Sequence, residues 1–239
     1  MPILEGQGVT KYFGGLAAVS DVDFHVDQGE IVGLIGPNGA GKTTLFGLIS
    51  AALVPNSGLI KFKGENITGL KPHQICRLGL ARTFQSVKVF SNMPVISNTA
   101  LGVHFGSPKR VTSTQAIKEA TRLLEFVGLS EKAAIPAKDL TLANQKLLEV
   151  ARALATKPEV LLLDEIMAGL NSTEIGQAME LVSQLRAQGI TIFMIEHVMK
   201  AIMSICDRII VLNYGKKIAE GTPQEISTSK TVVEVYLGE

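Results

Sequence analysis

Gly36-Pro37-Asn38-Gly39-Ala40-Gly41-Lys42-Thr43 is the stretch that decides the fold, and Thr44 follows it. It fits the pattern of a glycine, four residues, then Gly-Lys-Thr. Glycine tolerates backbone angles closed to other residues, so successive N–H groups can curl around a phosphate. The flanks separate this reading from a chance glycine turn. The apolar run Ile31-Val32-Gly33-Leu34-Ile35 before it reads as a buried strand. Residues 43 to 53 after it read as a helix, with Leu45, Leu48, Ile49 and Ala52 on one face. Strand, glycine loop, helix is the context that a phosphate loop requires. Lys42 is then expected to reach the β- and γ-phosphates of a nucleotide, and the Thr43 hydroxyl to hold magnesium. The helix beginning near Lys42 adds the positive end of its dipole.

Four other apolar runs read as parallel strands, and three of them end in unusual polar residues. Leu80 to Phe84 leads to Gln85. Val160 to Leu163 leads to Asp164 and Glu165. Ile190 to Ile195 leads to Glu196 and His197. Arg208 to Leu212 is the fourth. Between the second and third, residues 172 to 187 place Ile175, Met179, Val182 and Leu185 on one helical face, and Gly189 stops the helix. Asn171 with Glu174 three residues on resembles a capping box. Alternating strands and helices imply a parallel sheet covered on both faces. Ligands of such sheets bind beyond the carboxyl ends of the strands. Lys42, Gln85, Asp164 with Glu165, and His197 are therefore expected on one rim.

Those residue types suit phosphate chemistry. Asp164 at the end of an aliphatic strand can hold a metal ion through water. Glu165, one residue on, can act as general base toward an attacking water. Gln85 can touch the metal and that water, although a lone glutamine after a strand is usually a polar boundary residue. His197 can bond the γ-phosphate and orient the water, although a lone histidine at a strand end is more often structural. Tyr12-Phe13-Gly14-Gly15 offers an aromatic face for an adenine, or two core aromatics beside a turn. His25, His73 and His104 have no such context and carry no assigned role.

The bulk numbers fit one α/β domain. In 239 residues, 46% are hydrophobic and 19% charged, so a large core is possible and disorder is not expected. A net charge of +1 argues against a dedicated nucleic-acid binder. Two cysteines, Cys76 and Cys206, give no disulfide scaffold or zinc site and suit a reducing compartment. The start of the chain has no basic segment followed by an apolar one, so no signal peptide is expected. The longest apolar runs are too short to span a bilayer, so a membrane role must come through a partner.

Taken together, these residues resemble the ABC transporter ATPase family across essentially the whole chain. The resemblance implies an α/β P-loop NTPase (RecA-like) core with a mostly parallel sheet. It adds an N-terminal antiparallel β subdomain and an inserted α-helical subdomain. The chain is then a single ABC ATPase domain over 1–239, with its core in 1–85 and 158–239 and the helical subdomain at about 86–157. ATP and Mg2+ are the implied cofactors. Gly36, Pro37, Asn38, Gly39, Ala40, Gly41, Lys42, Thr43 and Thr44 would bind nucleotide. Thr43, Gln85 and Asp164 would serve the metal, and Glu165, His197 and Gln85 the catalysis. Phe13 aligns best with the adenine-stacking position, with Tyr12 second.

Several segments resemble the branched-chain amino acid importer subgroup. They are Gly79 to Gln85, Leu148 to Leu154, Ala168-Gly169-Leu170-Asn171, Val211 to Lys216, and the closing Tyr236-Leu237-Gly238-Glu239, whose like also occurs in lipopolysaccharide-export ATPases. In such importers the face near Val87, Val89, Phe90 and Met93 would form a groove for a membrane subunit, although core packing would use the same residues. The implied partners are a second ABC ATPase subunit, transmembrane permease subunits and, indirectly, an extracytoplasmic solute-binding protein. The implied place is the cytoplasmic side of the inner membrane, peripherally bound.

One segment departs from the family. Where its signature reads Leu-Ser-Gly-Gly-Gln, or Leu-Ser-Tyr-Gly-Gln in the subgroup, this chain has Leu140-Thr141-Leu142-Ala143-Asn144. Thr141 keeps a hydroxyl at an expected helix N-cap. Ala143 adds a methyl group where backbone should approach phosphate, and Asn144 is shorter than glutamine. Ile166 also replaces the proline usual after the catalytic glutamate. In the family, the signature of one subunit completes the site on the other's P-loop, so the departure favours a heterodimer with one strong and one weak site over a homodimer. It also favours one alternative, a nucleotide-gated dimerisation module with weak hydrolysis, which the intact Glu165 and His197 disfavour. A separate alternative is an ATPase for a different cargo such as urea or lipopolysaccharide.

Overall fold

The computed structural model describes residues 2–106 and 110–237. The chain opens with two long strands, β1 (Pro2–Phe13) and β2 (Leu16–Asp27), then β3 (Ile31–Ile35) and α1 (Lys42–Ile49). After β4 (Ser57–Phe62), β5 (Glu65–Asn66), α2 (Pro72–Leu78) and β6 (Leu80–Arg82) it becomes helical: α3 (Val95–Gly106), α4 (Ser113–Phe126) and α5 (Leu142–Leu154). It then alternates through β7 (Val160–Asp164), α6 (Ser172–Ala187), β8 (Thr191–Ile195), α7 (Met199–Ile205), β9 (Arg208–Asn213) and β10 (Lys216–Gly221), and closes with α8 (Pro223–Thr228) and α9 (Lys230–Leu237). Gly238 and Glu239, quoted above for their resemblance, lie outside the described residues.

Two sheets result. β2-β1-β4-β5 is antiparallel; the six-stranded sheet has the order β10-β9-β3-β8-β7-β6. From β9 to β6 all its neighbours are parallel, and only β10 runs against them. Alternate residues of a strand point to opposite faces, and the core divides accordingly. Ile31, Leu161, Leu163, Ile192 and Met194 join one buried cluster with residues of the helices α3 to α6. Val32, Leu34, Leu162, Phe193 and Ile195 join the other, with α1 and the antiparallel sheet. Phe193 packs there against Phe46 of α1, ring centroids 5.1 Å apart. Residues buried on both faces explain why these strands read as unbroken apolar runs.

Details differ from the sequence reading. The helix after the phosphate loop stops at Ile49, and Ala51 takes a φ of 56°. Ala52 is therefore outside the helix and exposed, whereas Leu45, Leu48 and Ile49 are buried. β6 ends at Arg82, two residues short of the expected strand; the Thr83 N–H still donates to the Leu162 carbonyl at 2.9 Å, and its hydroxyl accepts from the backbone N–H of Asp164 at 3.1 Å. The capping box at α6 is present, with Asn171 accepting from the N–H groups of Thr173 and Glu174 and Glu174 closing it. That helix buries Val182 and Leu185 as expected, while Ile175 and Met179 are only partly buried beside Ala178 and Leu181.

Candidate active site

The site sits where β3, β8, β7 and β6 end side by side. Gly36 leaves β3 with a φ of 149°, and a Cβ placed there would lie 2.1 Å from the carbonyl oxygen of Leu212 on neighbouring β9. Only glycine lets the chain turn so close to its neighbour. At the other end of the loop, Gly41 has a φ of 102°, and its Cβ would meet the Ala18 carbonyl oxygen at 2.2 Å. The loop therefore enters α1 with Lys42 at its first position. Lys42 is buried, and its Nζ donates to the carbonyls of Gly36 at 2.7 Å and Pro37 at 3.0 Å. Burial pulls its ammonium below the usual lysine range, while Glu165 and Asp164 pull it back. Pro37 is half-buried, Ala40 buried, and Asn38, Gly39 and Thr43 exposed, with Thr44 half-buried in the first turn of α1.

Asp164 ends β7 and is almost completely buried. Its Oδ2 accepts from Arg82 Nη2 at 2.8 Å, and its Oδ1 has no hydrogen-bond partner. Burial pushes its carboxyl above the usual range, helped by Glu165 and opposed by Arg82 and Lys42. Glu165 follows with a φ of 53°, an uncommon backbone for a residue other than glycine. Its two carboxylate oxygens are shared between the neighbouring strand ends. Oε2 accepts from Gln85 Nε2 at 3.0 Å, from beyond β6, and Oε1 lies 2.8 Å from His197 Nε2, from beyond β8. Three of the expected residues thus meet at one carboxylate, beside the loop lysine.

Other expected residues lie elsewhere. Phe13 stands at the exposed end of β1, next to Tyr12, with Lys11 Nζ 5.4 Å from its ring centre. Thr141 caps α5, accepting from the N–H of Asn144 at 3.4 Å. Thr141, Ala143 and Asn144 line a cavity of about 300 Å³ against Ile166 and α6, away from the phosphate loop. A larger groove of about 970 Å³ lies between α2, β6, α3 and α5. Val89 and Phe90 line it, with Phe84 and Phe105, but Val87 and Met93 do not. At its edge Glu149 accepts from the Lys88 N–H at 2.7 Å, and Arg152 bonds the Lys88 carbonyl while stacking over Phe90.

Sequence reasoning missed three buried groups around the site. They are Arg82 on Asp164, Lys146 on the carbonyls of Glu165 and Ala168, and Glu196 on the Met167 N–H. The signal for Lys146 was available: with Glu149, Val150 and Ala153 it occupies one stripe of α5, so a lysine falls on the buried face. A charge on an apolar stripe needs a partner.

A central parallel strand running into a phosphate loop, flanked by helices on both faces, defines a P-loop nucleotide-binding α/β protein. Residues 19–168 match the model for the ABC transporter family, and residues 216–239 match the branched-chain amino acid ATP-binding cassette transporter model. The chain is 41% identical, over its full length and 98% of the relative, to the high-affinity branched-chain amino acid transport ATP-binding protein BraF of Pseudomonas aeruginosa. It is as similar to LivG of Escherichia coli, over the same shares of both chains, and 35% identical to a probable LivG of Archaeoglobus fulgidus, covering all of this chain and 96% of that one. A nucleotide-free ATP-binding cassette from an ABC transporter superposes with a TM-score of 0.90 at 30% identity, with both chains fully covered. A cassette in its ADP conformation gives 0.89 at 31%, again over both full chains. The chain belongs to the ABC transporter family, as a nucleotide-binding ATPase subunit. No helix among the described residues is long and apolar enough to cross a membrane.

Proposed function

We propose that this subunit hydrolyses MgATP to drive import of branched-chain amino acids, bound at the cytoplasmic face of the membrane. The observation that carries the catalytic part is the meeting of Gln85 and His197 on the two oxygens of Glu165, beside Lys42. Glu165 accepts a proton from water as the water oxygen bonds the γ-phosphorus and the bond to the β-phosphate oxygen breaks. His197 and Gln85 fix the carboxylate and orient the water, while Lys42 and the loop N–H groups stabilise charge on the phosphates.

The residues present also fit a magnesium ion. The buried Asp164 Oδ1 lacks a partner, and hard oxygen donors of this kind, with the Thr43 hydroxyl and Gln85, suit that cation. Asp164, Thr43 and Gln85 would hold such an ion, which would supply positive charge to offset the charge that develops on the phosphates in transfer. Phe13, exposed at the end of β1, is free to stack on adenine.

The domain is read as one unit, core 1–85 and 158–239 with a helical subdomain at about 86–157. The groove beside Phe84, Phe90 and Phe105 receives a permease segment: exposed aromatics rimmed by charge mark an interaction surface. Ala143 and Asn144 in the signature segment favour pairing with a different ATPase subunit, and a solute-binding protein supplies the cargo from outside. The same two residues favour a second reading, a nucleotide-gated dimerisation module with little hydrolysis.

The test is uptake. The chain would be expressed with the permease and ATPase subunits it copurifies with, reconstituted in vesicles, and assayed for ATP-dependent accumulation of labelled leucine with a solute-binding protein present. Accumulation that requires ATP supports the proposal. ATP hydrolysis without uptake of any branched-chain amino acid moves the cargo elsewhere. ATP binding without hydrolysis favours the second reading.

A further inference from the structure

The turn after β7, from Glu165 to Ala168, is gripped from two other elements. The Glu165 N–H donates to the Ile195 carbonyl at 2.9 Å, and the Met167 N–H donates to Glu196 Oε1 at 2.7 Å, both at the end of β8. From α5 comes Lys146, a buried lysine. Its Nζ donates to the carbonyl of Glu165 at 2.9 Å and to that of Ala168 at 2.5 Å, and so bridges both ends of the turn. Within the turn the Ala168 N–H reaches the Glu165 carbonyl at 3.3 Å.

This grip falls on a strained residue. Glu165 has a φ of 53°, and left-handed backbone outside glycine persists where the surroundings over-determine it. Nothing intrinsic to a glutamate favours that angle. The ammonium also sits where burial disfavours its charge, pulled back by Glu196, Glu165 and Glu149. A well-packed apolar side chain at this position would often be as stabilising as a buried charge. What the ammonium adds is a defined geometry for two carbonyls.

We propose that Lys146 is a positioning residue for hydrolysis: by bridging the Glu165 and Ala168 carbonyls, it holds the Glu165 backbone so that the carboxylate stays between Gln85 and His197. The proposal rests on Glu165 being the carboxylate that activates water. Lys146 lies five residues beyond Thr141, the cap of α5, or about one and a half helical turns. A rotation or slide of α5 therefore carries the clamp, and with it the Glu165 backbone.

The test uses the full-length chain in complex with the subunits it copurifies with. Lys146→Met keeps the stem and removes the donor, while Lys146→Arg restores donors. The expected loss in kcat for Lys146→Met is on the order of 100-fold, the cost of a misplacement near 1 Å, with MgATP affinity within about threefold of wild type. Lys146→Arg should recover most of that loss. A kcat for Lys146→Met near wild type overturns the proposal, as does a parallel loss of kcat and nucleotide affinity, which marks a purely structural role. If Lys146→Met does not assemble, Lys146→Gln, too short to bridge, is read by the same criteria. Glu165→Gln separates the two levels. Wild-type turnover by Glu165→Gln sinks the reading of Glu165 itself, whereas an inactive Glu165→Gln beside a fully active Lys146→Met sinks the Lys146 proposal alone.

Discussion

Replacing Arg82 with methionine isolates the electrostatics beneath the site. Arg82 and Asp164 form a pair whose side chains are 8% and 0% exposed, at 2.8 Å. Methionine keeps much of the stem but leaves a carboxylate that burial already pushes upward, opposed then mainly by Lys42. Removing one partner of a buried pair costs about 3–5 kcal/mol. In a chain of this length each kcal/mol moves Tm by about 2–4 °C, so a fall of about 6–20 °C is expected. The sign of the pH dependence follows from the same shift. The Asp164 carboxyl of the folded protein lies above its usual value, and without Arg82 higher still. The folded state then holds a proton that the unfolded state has released, so stability falls as pH rises through that window. The deficit of Arg82→Met should therefore be larger at about pH 8 than at about pH 5, where Asp164 is closer to neutral. Denaturant melts at both pH values measure it. Adding Asp164→Asn to the same chain should recover part of the loss, because no stranded charge remains. A deficit under about 1 kcal/mol, or one that does not vary with pH, would refute the pairing and the reasoning built on it.

Two further expectations concern the same rim. Gly36→Ala puts a methyl 2.1 Å from the Leu212 carbonyl oxygen at a φ of 149°, so nucleotide affinity should be lost and the melting temperature should drop; fluorescence titration with a nucleotide analogue checks this, and wild-type affinity contradicts it. Glu196 is pushed up to about 7, chiefly by burial, from an ordinary 4.5. Its folded form keeps a proton that the unfolded form loses across that window, so it lowers stability as pH rises, and Glu196→Gln should flatten the stability profile there. Parallel profiles for the two proteins would show that the carboxyl titrates normally.

Much of this arrangement was legible in the chain because it follows from local rules. The run Ile31 to Ile35 is apolar on both faces, so its burial in a parallel sheet and the loop after it could be read directly. Asn171 and Glu174 announced the start of α6 because a capping box acts within four residues. The convergence of Gln85, Glu165 and His197 was legible only as a rim, since strand order decides which ends are neighbours. Their pairing onto two oxygens of one carboxylate depends on the order β8-β7-β6, set by long-range packing. Helix length after Lys42 was overread, because Ala52 continued the apolar spacing although the chain had already turned at Ala51. The contacts of Arg82 and Lys146 were illegible as pairs: each joins residues at least 19 positions apart in the chain. Their presence on buried faces was the only local trace.

The claim that everything else depends on is that the carboxylate between Gln85 and His197 acts on a phosphate held at Lys42. Steady-state release of phosphate from ATP by the assembled complex, with and without magnesium, for wild type and Glu165→Gln, measures it most directly. Magnesium-dependent turnover in the wild type, with nucleotide binding kept and turnover nearly abolished in Glu165→Gln, is the predicted result. Hydrolysis at the wild-type rate by Glu165→Gln would contradict it.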